Sequence, residues 1–402
     1  MVNDEHSLTI NDCHSEVSAT VRRILNQIKH TSDSFASTHK LQIENLNAFL
    51  AGAASNPQPI LDALYCHPGV DIQTLLNTNS LKKFKKKISQ VPPVITMTEL
   101  ESRKTSRIFQ RGPNQEQKVP FYRYFDTATS PLSPLRPELI EQLTCADGSS
   151  PIEKSYFNRG HFEDQMTLYL GDLNLHWTDK FSQQHIFIAN KFSSSYKLPF
   201  VPHTFTARTN IPSRILAVTY IGPIANSEFT ALAKKLTLDE LCSVLDEYNP
   251  ANSREVLDGE SVVTNKSLQV SEKISDTSTS VRLLNGIPGQ PNSAISLLIV
   301  SLCEPLVLSP SPNYQWIFNC SETSVEVTWA SNKFHLTPDS SMSVAPNIEL
   351  KFQNQNLRSA IIACFSARAG DGDPFMHAKK ILEHVGPEAI SRIQHETNQW
   401  FD

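Results

Sequence analysis

The sequence predicts a mainly β protein with α-helices, in which a helical region followed by a β-barrel occurs twice in tandem. Three observations carry this prediction. Apolar residues recur at helical spacing near the N-terminus, and short β-type runs separated by Gly, Pro, Asn and Asp follow them. The same change from helical to β-type sequence returns in the second half of the chain. This weak internal repeat is one of architecture more than of sequence identity.

The first predicted unit is a helix-turn-helix-like domain over residues 16–100. Its apolar segments are VSATVRRILNQI, KLQIENLNAFLAGA, PILDALYC and DIQTLLN, and Gly and Pro residues stand between them. The lysine run LKKFKKKI at 81–88 ends it. These lysines form either a solvated helix face or a contact with a phosphate-bearing partner.

A first barrel is predicted over 104–225, from the runs VPFYRYF, QMTLYLGDLNLHW, QHIFIANKF and SRILAVTYIG. A second helical region and linker follows at 226–281, then a second barrel at 282–370 and a C-terminal helix at 374–402. We predict that the second barrel is a degenerate copy. FVPHTFTA in the first barrel contains His203, whereas VAPNIELKF in the second has Asn347 where a residue pointing into the barrel is expected.

Composition excludes several classes of partner. The chain has 402 residues, room for two or three domains, and 36 basic against 41 acidic residues, so neither nucleic acid nor a membrane surface is an expected partner. The N-terminus is polar, and no run reaches the about 18 apolar residues of a membrane span. Seven widely spaced cysteines without a CxxC pair indicate reduced thiols. These features predict a cytoplasmic protein.

Three residues in β-type sequence form a candidate metal set: His161, Gln165 and His203. His161 and Gln165 are four residues apart and share a strand face, and His203 comes late enough to return on a neighbouring strand. Glu163 is the rival to Gln165, since it shares that face by parity. His176 and His185 also lie on β-type runs, and we interpret both as core or surface residues.

The spacing His161-x3-Gln165-x37-His203 resembles the metal motif of the cupins. These small jelly-roll barrels hold an iron with two histidines and a carboxylate and leave positions open for substrate and oxygen. Over nearly its whole length the chain resembles one group of them, the phosphonate-processing non-haem iron cupins. Members of this family join a helix-turn-helix domain to a cupin barrel, and some carry a degenerate second copy. NRGH, ending in His161, is similar to the family's Asn-x-x-His element.

In that family, Gln in place of Glu at the position of Gln165 marks the members that make methylphosphonate. The resemblance therefore implies an oxygenase-type oxidoreductase that uses Fe(II) and O2 to cleave the carbon–carbon bond of 2-hydroxyethylphosphonate. The products would be methylphosphonate and bicarbonate or CO2. The alternative within the family is a dioxygenase that gives hydroxymethylphosphonate and formate.

The resemblance also implies residues that hold the phosphonate dianion, for which cations and fixed hydrogen-bond donors are suited. The candidates are Lys40, Tyr122, Tyr124, Asn158 and, as alternatives to each other, Arg111 and Lys118. Lys40 and Tyr124 are the candidate catalytic residues. The family's matching lysine reaches the iron centre, in some members from a neighbouring subunit, so a homo-oligomer (dimer or tetramer) is expected.

A second class of function fits the same layout, because DNA-binding regulators also join a helix-turn-helix to a cupin. The acidic chain and the complete metal set of the first barrel argue against it. A structural protein of the seed-storage type would leave Lys40 and the tyrosines unexplained.

Overall fold

The computed structural model describes residues 18–67, 91–146, 148, 151–158, 164–178, 183–197, 202–220, 272–273, 280–285, 295–302, 305–354 and 359–368, apart from 19–20, 23, 26–27 and 54–55. The lysine run at 81–88, most of the second helical region and the C-terminal helix predicted at 374–402 lie outside these residues.

The N-terminal region is helical, as its apolar spacing predicts. Helical residues between 18 and 25 are followed by α1 (Ser32–His39), α2 (Ile43–Leu50) and α3 (Gln58–Cys66). The Thr31 side chain accepts a hydrogen bond from Ser34 N and so caps α1. One apolar core holds these helices together, and it includes Val21, Ile24, Phe35, Leu46, Phe49, Ile60 and Leu64.

The first β-region forms two facing sheets. Its strands are β2 (Arg107–Arg111), β3 (Val119–Phe125), β4 (Leu135–Gln142), β5 (Asp164–Tyr169), β6 (Leu173–Thr178), β7 (Gln184–Ala189), β8 (Ser194–Lys197), β9 (His203–Ala207) and β10 (Ser213–Tyr220). The larger sheet has the order β2-β3-β4-β10-β5-β8, and the smaller sheet has the order β7-β6-β9. All the pairings are antiparallel.

The second β-region is also built from two sheets. Its strands are β11 (Glu272–Lys273), β12 (Ser280–Asn285), β13 (Ser296–Leu302), β14 (Leu306–Leu308), β15 (Asn313–Asn319), β16 (Val325–Trp329), β17 (Asn332–Leu336), β18 (Ser341–Val344), β19 (Leu350–Asn354) and β20 (Ala360–Arg368). Together with β1 (Val94–Met97), they form sheets of the orders β1-β18-β15-β20-β13-β12-β11 and β14-β19-β16-β17. The first of these includes β1, which precedes α4 (Glu99–Lys104) and the first barrel.

One apolar cluster spans the two barrels, and the second barrel has a further cluster of its own. A single cluster of buried side chains includes Tyr169 and Phe205 of the first barrel together with Trp316 and Phe365 of the second. Hydroxyl groups also bridge the barrels, because Ser341 Oγ accepts a hydrogen bond from Ala128 N at 2.8 Å. The first barrel is therefore supported on one side by the second.

The predicted mainly β fold class with helices is confirmed. The helix-turn-helix assignment and the degenerate second copy stay predictions. One reason offered for degeneracy is wrong: Asn347 does not point into a barrel, because it lies in an exposed turn after β18 with a φ of 65°. Asparagine tolerates this left-handed conformation. Among the described residues, no helix combines the length and apolar character needed to cross a bilayer.

Candidate metal centre

Gln165 and His203 lie on opposite sheets of the first barrel, on faces that meet inside it. Side chains alternate along a strand, so Gln165 and Tyr169 share one face of β5, and His203 and Phe205 share one face of β9. The rings of Tyr169 and Phe205 have their centroids 6.2 Å apart, so these two faces look at each other. Gln165 and His203 are both buried in the interior between them.

The Gln165 amide has a defined orientation. Its Nε2 donates a hydrogen bond of 2.8 Å to Thr167 Oγ1, two residues along the same face of β5. With the nitrogen directed at Thr167, a metal bound by this side chain would be bound through the amide oxygen. An amide oxygen is neutral, so a divalent metal bound here would carry one more net positive charge than beside a carboxylate.

His203 is fixed by Asn158, which pairs with it as a neighbouring strand would. Asn158 N donates to His203 O at 3.1 Å, and His203 N donates to Asn158 Oδ1 at 2.9 Å. Asn158 Nδ2 lies 3.1 Å from His203 Nε2. Because Oδ1 is the accepting end of this amide, Nδ2 is the donor and Nε2 carries a lone pair. This is the tautomer that binds a metal through Nε2, and metal binding there would displace the Asn158 amide.

The two described donors therefore fit the iron ion that the family resemblance implies. Both are buried; one is an imidazole nitrogen whose lone pair faces the Asn158 amide, and the other is the oxygen of an amide whose nitrogen is directed at Thr167. The third predicted ligand, His161, and the rival Glu163 lie outside the described residues. The ligand set as a whole stays a prediction.

Tyr122 holds the outer edge of β9 beside His203. Its hydroxyl oxygen accepts a hydrogen bond of 2.8 Å from Phe205 N and lies 2.7 Å from Thr204 Oγ1. Burial raises the pKa of this phenol, so it stays protonated. With Asn158 at His203 and Tyr122 at Phe205, two residues predicted to bind substrate also satisfy the outer edge of the strand that carries His203.

Arg111 is the stronger of the two basic candidates on geometric grounds. It is buried at the end of β2, and its guanidinium lies 5.1 Å from the ring centroid of Phe109 and 5.9 Å from that of Tyr122. Lys118 is half-buried beyond the next turn. A buried guanidinium among aromatic rings suits an oxyanion ligand better than a partly solvated ammonium does.

Tyr124 is buried two residues after Tyr122 and packs edge-on against Phe109 and Tyr122, with centroids 6.2 and 6.0 Å away. Burial is the main cause that raises its pKa well above the usual value. The Arg107 guanidinium lies 5.9 Å from its ring centroid. These contacts are those of a packed core residue, and a catalytic role for Tyr124 stays a prediction.

Lys40 is exposed and ends α1 in the left-handed conformation, with a φ of 56°. Within the described residues it forms no ion pair. Its exposed side chain is compatible with a role in its own subunit or in a neighbouring one.

The two histidines that were set aside as ligands have structural partners. His176 is fully buried, and its Nε2 lies 3.1 Å from Thr206 Oγ1, while burial lowers its pKa to about 4. The ring of His185 stacks on Trp177 with centroids 5.1 Å apart.

Sequence reasoning missed Thr167 and Thr204, which orient the site. Thr167 could have been found, because it falls on the same strand face as Gln165.

Comparisons with known proteins agree with the predicted resemblance. The chain is 31% identical over 220 residues to the methylphosphonate synthase of Nitrosopumilus maritimus (strain SCM1), a match that covers 54% of this chain and 45% of that protein. The chain thus spans less than half the length of this relative. No protein-family profile matches the chain.

Two solved structures share the fold. The 2-hydroxyethylphosphonate dioxygenase of Streptomyces albus, with 2-hydroxyethylphosphonate and Fe(II) bound, superposes with a TM-score of 0.53 at 19% identity over 97% of this chain and 99% of that one. A variant of 2-hydroxyethylphosphonate dioxygenase gives 0.50 at 15% identity over 93% and 99%.

Proposed function

We propose that this chain is an Fe(II)- and O2-dependent enzyme that cleaves the carbon–carbon bond of 2-hydroxyethylphosphonate to give methylphosphonate and CO2 or bicarbonate. The reaction balances, since the substrate and one O2 have the atoms of methylphosphonate, CO2 and one water. The observation that carries the proposal is the buried Gln165, oriented by Thr167 on a face that looks towards His203. The similarity to a methylphosphonate synthase supports it.

Iron, held by His161, Gln165 and His203, would supply one-electron chemistry and bind substrate and O2. The residues of the chain perform the remaining tasks. Arg111 supplies a fixed cation for the phosphonate from a site that excludes water, and the Asn158 amide, once released from His203 Nε2, can donate to a substrate oxygen. Tyr122 keeps β9 and its histidine in register.

The phosphonate site is completed by Lys40, whose mobile ammonium closes over bound substrate, from its own subunit or a neighbouring one in a homo-oligomer. Tyr124 is the second candidate catalytic group. A reaction that uses only a small anionic substrate and O2 needs no membrane or nucleic acid, which supports a cytoplasmic enzyme.

The test is a single-turnover experiment read by phosphorus NMR. The protein is loaded with Fe(II) without oxygen and then exposed to O2 and 2-hydroxyethylphosphonate. We expect one new signal, that of methylphosphonate, and none with the His203→Ala variant. Hydroxymethylphosphonate together with formate would favour the dioxygenase alternative, and no new phosphonate signal would refute both.

A further inference from the structure

A second cluster of metal-binding side chains lies where the helical region meets the first barrel. His30 precedes α1, His67 follows α3, and Asp126 follows β3. One ligand atom of each residue lies within 4.8 Å of the others, and both histidines are buried. None of the three belongs to the set of Gln165 and His203.

The spacing of the two imidazoles matches a metal's coordination sphere. Two nitrogens bound to zinc at about 2.0–2.1 Å with a tetrahedral angle lie about 3.3–3.4 Å apart. The Nε2 atoms of His30 and His67 are 3.2 Å apart. A hydrogen bond between the rings would also give this distance, but it does not require a carboxylate oxygen within 4.8 Å of the ring nitrogens.

The His30 and Asp126 side chains are each held by a neighbouring residue, as metal ligands usually are. Ser34 Oγ lies 3.1 Å from Thr31 O, to which it donates, and 3.0 Å from His30 Nδ1. A serine hydroxyl that donates to Thr31 can accept from Nδ1–H, and in that tautomer of His30 the lone pair is on Nε2, the atom that faces His67. Arg107 donates to Asp126 Oδ1 at 2.7 Å, which leaves Oδ2 as the second oxygen. Such partners on the far side of ligands are typical of metal sites.

The electrostatics of the cluster are compatible with two neutral ligands. Burial is the largest cause that lowers the pKa of His30 to about 3 and that of His67 to about 4; Arg107 contributes in the same direction, and Asp126 opposes it. The rings are therefore unprotonated at neutral pH, as metal binding requires.

A fourth ligand is available next to the cluster. The His39 ring centroid lies 5.5 Å from that of His67. In the part of the chain that the structure describes, His39 Nε2 is screened from solvent and has no hydrogen-bond partner. This ring is therefore the candidate for a fourth ligand.

We propose that His30, His67 and Asp126 bind one divalent cation with the preferences of zinc, in addition to the iron of the first barrel. The site joins the helices to the barrel. Arg107 of the barrel already links the two, because it donates to the carbonyl oxygens of Ile28 and Lys29 at 3.0 and 2.9 Å. Its role is structural, because its ligands are held by the surrounding groups and do not face the barrel interior.

The test uses metal-stripped full-length protein with the His203→Ala change, so that the iron site is disabled. Binding of Co(II) is monitored by its visible absorption, and binding of Zn(II) by calorimetry. Each titration should show one equivalent bound, and the Co(II) spectrum should be that of a tetrahedral site. Zn(II) should also raise the melting temperature. Adding His67→Gln should weaken binding by at least about 100-fold and abolish the shift in melting temperature. His335→Gln, a change at an exposed histidine of β17, should alter neither.

Two results would overturn the proposal. One is a His203→Ala protein that binds no Co(II) or Zn(II) at stoichiometric concentrations, a measurement that does not depend on any cluster variant folding. The other is a bound ion that survives His67→Gln with unchanged affinity. If His67→Gln does not fold, Asp126→Asn takes its place under the same criterion.

Discussion

At the scale of single residues, the orientation of the Gln165 amide depends on its neighbour Thr167. A glutamine can present either an oxygen or an NH2 group to a metal, and only the oxygen binds. Thr167 Oγ1 accepts from Nε2 and thereby selects the productive orientation. A carboxylate needs no such selection, because its two oxygens are equivalent. The hydroxyl is therefore a feature that an amide ligand specifically requires.

Thr167→Val keeps the shape of the side chain and removes this acceptor. We expect Fe(II) affinity to fall by about 10–100-fold, the usual range for loss of a group that orients a ligand. Thr328→Val, at a half-buried position on β16 of the second barrel, is the matched control. Anaerobic Fe(II) titration measures both, and wild-type affinity in Thr167→Val would show that the amide is not oriented in this way.

Lys40 stands at a position whose backbone favours glycine. Its φ of 56° is left-handed, which costs a non-glycine residue about 1–2 kcal/mol. Lys40→Gly should therefore keep or raise the free energy of unfolding, by up to about 1 kcal/mol. If the ammonium closes over substrate, the same change should lower kcat/KM at least about 10-fold. Urea unfolding and steady-state kinetics separate the two effects, and a variant that is fully active would remove Lys40 from the site.

At the scale of elements, β9 depends on partners outside its own sheet. Its inner edge pairs with β6, and its outer edge is held by Asn158 at His203, by Tyr122 at Phe205 and by backbone hydrogen bonds at Ala207. An unpaired strand edge is mobile and open to other strands. These contacts fix the position of the strand that carries His203.

Tyr122→Phe tests whether this tyrosine positions β9 or only binds substrate. The change leaves Phe205 N and Thr204 Oγ1 without their partner, so we expect a loss of about 1–3 kcal/mol in the free energy of unfolding. It should also weaken Fe(II) binding in substrate-free protein. An effect on KM alone, with unchanged stability and metal affinity, would instead indicate contact with the phosphonate only.

The sequence predicts those strands whose apolar residues alternate clearly, such as VPFYRYF of β3, and it misses β4. LRPELIEQ contains Pro137 and several charges, which argue against an inner strand. The structure accommodates the proline because β3 pairs with β4 only from Leu139 to Gln142, beyond the proline. Likewise, the bond between Tyr122 and Thr204 joins residues 82 positions apart. No local sequence pattern reveals such a contact. The spacing of the candidate metal ligands, in contrast, can be read directly from the sequence.

At the scale of the whole molecule, the junction of helices and barrel predicts sensitivity to acid. Burial lowers the pKa of His67 to about 4 and that of His30 to about 3, below the 6.5 of an unfolded chain. Between these values the unfolded state binds more protons, so stability is full above pH 6.5 and falls as the pH drops towards 4. Buried His176 adds to the same trend.

Thermal melts of metal-stripped protein from pH 7.5 to 4 measure this slope. The double variant His30→Gln and His67→Gln should be less stable at pH 7.5 and should lose less stability on acidification. A slope equal to that of the unsubstituted protein would show that other groups cause the acid sensitivity. His335→Gln, at an exposed position, is the control and should keep the original slope.

The apolar cluster that spans the two barrels predicts that they unfold together. Trp316 of the second barrel is buried and packs on Phe318 and Phe365, with ring centroids 5.7 and 5.6 Å away. These side chains belong to the same cluster as Tyr169 at the end of β5. A void at Trp316 therefore weakens the support of the strand that holds Gln165.

Trp316→Ala should lower the free energy of unfolding by about 3–5 kcal/mol. It should also speed hydrogen exchange at β5 and β10 amides of the first barrel as much as at β15 of the second, because one cooperative unit opens as a whole. Val307→Ala, a truncation at a half-exposed position on β14, should change neither. Faster exchange confined to the second barrel would mean that the first barrel is stable by itself, and Fe(II) affinity should then be unchanged in the variant.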